Sequence, residues 1–109
     1  MQNVFDVYND PGHAWAKVPS RVLAELGFLP WDFSGYSYVG RDCLFLEEDC
    51  DLGRFAARYR EVTGRDPMWR EHYCEGRSRI RSKPSNVWSN ADMETPAVKA
   101  ALAALKEAA

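Results

Sequence analysis

The sequence is poor in the residues that most often carry chemistry. It has two histidines and three cysteines. The thiols, Cys43, Cys50 and Cys74, are odd in number, form no CxxC pair, and are joined by no HxxxH spacing. A disulfide framework and a zinc site of ordinary spacing are therefore not expected. A Cys–His nucleophile is formally available from His13, His72 and the three thiols, but nothing singles out one of them. The glycines are scattered through turns, so there is no phosphate-cradling loop and no nucleophile elbow. No apolar run approaches the roughly 18 residues of a membrane span. The N-terminus is polar and charged among short strand-like runs, unlike a secretory leader. The expected setting is a reducing cytoplasm, and the expected protein is not an enzyme and holds no cofactor or metal.

Core-forming residues are plentiful. Of 109 residues, 46% are hydrophobic and 13% aromatic, enough for one domain with a buried core. The formal net charge of -2 gives no global field toward nucleic acid. The distribution is uneven. Residues 42–51 hold five acids and no base, and residues 52–88 hold nine bases and four acids.

The chain reads as hairpins separated by helices. Residues 4–8 are β-branched and aromatic, Asp10-Pro11-Gly12 makes a turn, and residues 14–18 return as a second strand. Ser20 is placed to cap a helix carrying Val22, Leu23 and Leu26, with Gly27 as its stop. An aromatic loop with Pro30, Trp31 and Phe33 follows. Residues 36–39 and 43–46 form a second hairpin around Gly40-Arg41-Asp42. Leu52, Phe55, Ala56, Tyr59 and Val62 then fall on one helical face, ended by Gly64 and Asp66-Pro67. Residues 68–74 predict a strand, and 77–82 predict another after Glu75-Gly76. Residues 83–93 read as a linker. A C-terminal helix over 94–109 starts at Thr95-Pro96, with Val98, Leu102 and Leu105 as a stripe that could pair two copies. The expected fold is α+β over residues 1–82, in ββα-ββα-ββ-α order. An antiparallel sheet of four to six strands carries helices on one face.

Two charged runs and one loop are the candidate sites. Arg77, Arg79, Arg81 and Lys83 alternate, so on a strand they would share one face and could meet a phosphate backbone, with Trp69, Tyr73 and Trp88 near in sequence to stack bases. The plainer reading is a solvated edge strand, or an internal partner for the acidic block. Glu47, Glu48, Asp49 and Asp51 could occupy a basic groove on a partner or hold a divalent ion. They could equally serve the following helix, with Asp49 or Asp51 as its cap. The calcium-loop pattern is missing. Trp31 and Phe33 are interface anchors if exposed and core residues if not.

Several segments carry a resemblance: DPGHAWAKVP at 10–19, YSY at 36–38, LEEDCD at 46–51 and SRIRS at 78–82. Together they resemble a family of small proteins encoded by bacteriophages and other mobile elements, over roughly residues 4–82. The resemblance implies a context and no transferable chemistry. It implies an accessory protein of the host bacterial cytoplasm that binds a host protein or ribonucleoprotein complex, in its most concrete form a CRISPR-type defence inhibitor. Direct nucleic-acid binding through the basic run is the alternative.

Overall fold

The computed structural model describes residues 1–86. The helix expected over 94–109, its pairing with a second copy and most of the linker lie outside the described residues. Five strands form one sheet: β1 (Val4–Asn9), β2 (Ala14–Pro19), β3 (Tyr38–Gly40), β4 (Cys43–Glu47) and β5 (Met68–Tyr73), in the spatial order β3-β4-β2-β1-β5. Two helices accompany them, α1 (Ser20–Glu25) and α2 (Gly53–Thr63). The fold is α+β, as expected.

The sheet is mixed rather than purely antiparallel. β1 pairs antiparallel with β2, β2 with β4, and β3 with β4, whereas β5 lies parallel to β1, with Phe5 opposite Trp69. The cause is the connection. β4 leads into a helix, and a helical crossover returns the chain so that the next strand runs the same way as the one before it. β5 therefore joins the far edge, parallel to β1 and β4. The strand expected at 77–82 does not form. Arg79–Ser82 is a 3₁₀ turn, and the Ser78 hydroxyl accepts the Ile80 N–H at 3.2 Å to start it.

One face of the sheet is closed by the helices. Phe5, Val7, Ala16, Val18, Leu44 and Leu46 meet Val22, Leu23 and Leu26 of α1 and Phe55 and Tyr59 of α2 in one buried cluster. Phe5 meets Phe55 edge-on at 5.2 Å and Tyr59 at 5.8 Å. Each such ring contributes about 1.5–3 kcal/mol through burial. Gly64 ends α2 in the left-handed region at φ 77°, and its N–H donates to the Arg60 carbonyl. α1 begins differently from expectation. Pro19 holds the cap position and Ser20 is the first helical residue, with its N–H given to the Asp42 carbonyl at 2.8 Å. The Ser20 hydroxyl is buried without a hydrogen-bond partner.

The described residues cover the other face only in part. Trp15, Cys43, Phe45 and Ile80 form a small second cluster, flanked by Tyr8 and Tyr38. The described segment after β5 crosses this face and reaches β3. The Val39 N–H donates to the Pro84 carbonyl, and the Asn86 N–H to the Ser37 carbonyl. The first residues of the stretch read as a linker are thus hydrogen-bonded to the sheet edge. No helix of the described residues is long and apolar enough to cross a membrane.

Candidate functional site

The basic run separates into one structural arginine and a set of open cations. Arg81 donates from Nε and Nη2 to both oxygens of Asp10, at 2.7 and 2.9 Å, and its guanidinium lies over the Trp15 ring at 5.0 Å. Asp10 sits in the β1–β2 turn with a side chain only 1% exposed. It also accepts the N–H groups of Gly12, His13 and Ser78. The bond to Arg81 holds its carboxyl far below the usual carboxylate range, and Arg81 is raised in return. Arg81 is therefore a pin that fastens the crossing segment to the turn. It is not an open cation.

The remaining cations line a groove on the partly covered face. Lys17 of β2 meets Arg77, Arg79 and Lys83 of the crossing segment around a groove of about 440 Å³ that Tyr8 and Phe45 also line. Among the described residues no carboxylate lines it. Lys83 Nζ lies 5.3 Å from the Phe45 ring centre. Among the described residues, Lys17, Arg77 and Arg79 have no ion-pair partner. His72 stacks on Tyr8 at 5.0 Å with 17° between the planes. Its Nε2 bonds Asp6, which also takes two bonds from Arg70. Hydrogen bonds from Arg70 first and His72 second bring the Asp6 carboxyl down to about 2.

The acidic block is split between the interior and the surface. Asp51 is buried, and it accepts the Ser34 N–H and hydroxyl and the Ser37 hydroxyl. It fastens the aromatic loop to the start of α2. Glu47 is also buried. Its Oε2 accepts the Cys50 N–H at 2.8 Å, so Glu47 caps the π-type turn Glu48–Leu52, a role expected of Asp49 or Asp51. Its Oε1 lies 3.1 Å from His13 Nδ1. Only Glu48 and Asp49 of the four acids are exposed. Phe33 is buried against Phe28, whereas Trp31 is 55% exposed. Glu47, Asp51 and Phe33 are thus withdrawn from any partner surface.

The three thiols sit in different surroundings. Burial pushes the Cys43 thiol up. Desolvation, with a bond to Glu47, does the same to Cys50. Cys74 is exposed and its thiol donates to the Gly76 carbonyl. Among the described residues neither imidazole is bonded to a thiol. One grouping escapes sequence spacing: His13, Glu47 and Asp49 place one donor atom each within 4.8 Å of one another. The β1–β2 turn and the end of β4 bring them together across more than thirty residues of chain, and no local motif signals it.

No protein-family model, curated protein or solved structure matches this chain.

Proposed function

We propose that this chain is a non-enzymatic binding domain that takes a short single-stranded nucleic-acid segment in the groove on its partly covered sheet face. One observation carries the reading: among the described residues, four cations and no carboxylate line that groove. Cations without internal partners keep their full attraction for phosphate, and each phosphate neutralised releases counterions. Tyr8 on the groove wall, with His72 stacked on it, offers flat faces on which unpaired bases stack. The overall charge of -2 opposes distant attraction, so the affinity rests on local contacts and is strongly salt-dependent.

The test is anisotropy of a labelled oligothymidine titrated with protein across a salt series. The logarithm of affinity should fall against that of salt with a slope of about -3 for four phosphate contacts. Combining Lys17→Ser, Arg77→Ser and Arg79→Ser should weaken binding at low salt by more than about tenfold and flatten the slope. No binding at low salt, or binding indifferent to the three substitutions, refutes the proposal.

A protein partner is the second reading. Trp31 and Tyr36, 55% and 69% exposed, share one loop, and exposed aromatics are the usual anchors of interfaces. Glu48 and Asp49 would add charge toward a basic partner. Capture of a stoichiometric protein that survives nuclease and is lost with Trp31→Ala would favour this reading over the groove. Either partner suits an accessory protein acting on a host ribonucleoprotein, including a CRISPR-type complex.

A further inference from the structure

We propose that His13, Glu47 and Asp49 bind one Zn²⁺ ion, which ties the β1–β2 turn to the end of β4. The donor set is an imidazole nitrogen and two carboxylates, with one donor atom from each within 4.8 Å of the others. A tetrahedral ion with ligands at about 2.1 Å places its donor atoms about 3.4 Å apart. His13 Nδ1 and Glu47 Oε1 are already 3.1 Å apart. Asp49 is exposed, so its carboxylate is free to swing the remaining distance at little cost. A water would complete the shell, as at other three-ligand zinc sites.

The two closer ligands are held from behind. The backbone N–H of His13 donates to Asp10 Oδ1 at 3.0 Å, which with the Arg81 pin fixes the turn that carries the imidazole. The second oxygen of Glu47 is occupied by the Cys50 N–H. That bond fixes the orientation of the Glu47 carboxylate, and support of this kind raises metal affinity. The nitrogen donor and the small number of oxygens favour zinc over calcium, which takes six to eight oxygens. Today's contact between His13 and Glu47 is a hydrogen bond. The ion would replace its proton and bridge the same two atoms.

The test is calorimetry of the chelator-stripped full chain with zinc chloride, backed by thermal unfolding and by the visible spectrum of the cobalt-substituted protein. One ion per chain is expected at micromolar metal, with a rise in Tm. His13→Gln and Asp49→Asn should each weaken binding by about tenfold or more, and Cys50→Ser should leave it unchanged. Glu47→Gln endangers the fold because that carboxylate is buried, so the other two variants carry the test. No heat and no Tm shift at millimolar zinc overturns the site. So does binding that survives both variants, or a thiolate-to-cobalt band lost in Cys50→Ser. No nucleic acid is needed, so this result stands apart from the groove.

Discussion

The two faces of the sheet do opposite work. The helix-covered face joins Phe5, Leu44, Leu46, Phe55 and Tyr59 in one apolar cluster, and its stability comes from burial. The other face holds only a small cluster around Trp15 and Ile80. Among the described residues its crossing segment is held by the Asp10–Arg81 ion pair, by the backbone bonds of Val39 with Pro84 and of Asn86 with Ser37, and by the Asn86 amide on the aromatic loop, and cations stay unpaired beside it. Polar fastenings of this kind cost little core area and, among the described residues, leave Lys17, Arg77 and Arg79 without ion-pair partners. The chain thus separates what keeps it folded from what we assign to binding.

The comparison can be broken hardest on the helix side. Phe55→Ala removes a fully buried ring and should cost about 3–5 kcal/mol in urea unfolding, enough to unfold a marginal domain. On the other face, Arg81→Met keeps most of the side-chain volume but strands the Asp10 carboxylate. It should cost about 3 kcal/mol, and adding Asp10→Asn should return part of that loss. A double variant no better than Arg81→Met would show that charge is not what the pin supplies.

The pH dependence sharpens the same point. Asp6 and Asp10 have folded pKa values below their unfolded ones, so each folded carboxylate binds its proton less readily. Their stabilisation is complete above the unfolded value and is lost as pH falls through the folded one. Acid unfolding should therefore begin below about pH 4 and steepen toward pH 2. Asp6→Asn should reduce the loss in that window. A stability curve flat from pH 5 to 2 would contradict the assigned pairing. The smallest effects are expected in the groove, where Lys17→Ser, Arg77→Ser and Arg79→Ser should each change stability by no more than about 0.5 kcal/mol.

The helix-covered face was the legible one. The stripe through Phe55 and Tyr59, the Asp10-Pro11-Gly12 turn and the stop at Gly64 are local signals, and all fall where expected. The partly covered face was not, because its decisive contacts join residues far apart in the chain. Alternation of Arg77, Arg79 and Arg81 has the period of a strand. A 3₁₀ turn forms instead, because Ser78 caps it locally and Asp10 holds both the Ser78 N–H and Arg81. That same bond removes Arg81 from the open cations, while Lys17 joins them from another strand. Likewise, five closely spaced acids look like one exposed block. β4 is buried along its whole length and takes Glu47 in with it, and the serines of the aromatic loop hold Asp51 inside. The parallel placement of β5 depends on where the crossover lands, which residue pattern does not encode.

The most direct test of this division is amide chemical-shift mapping of the labelled protein titrated with oligothymidine at low salt. The account predicts perturbations at Tyr8, Lys17, Phe45 and residues 77–83, with α2 silent. Shifts centred on α2 or on the Trp31 loop, with the groove unperturbed, would contradict it.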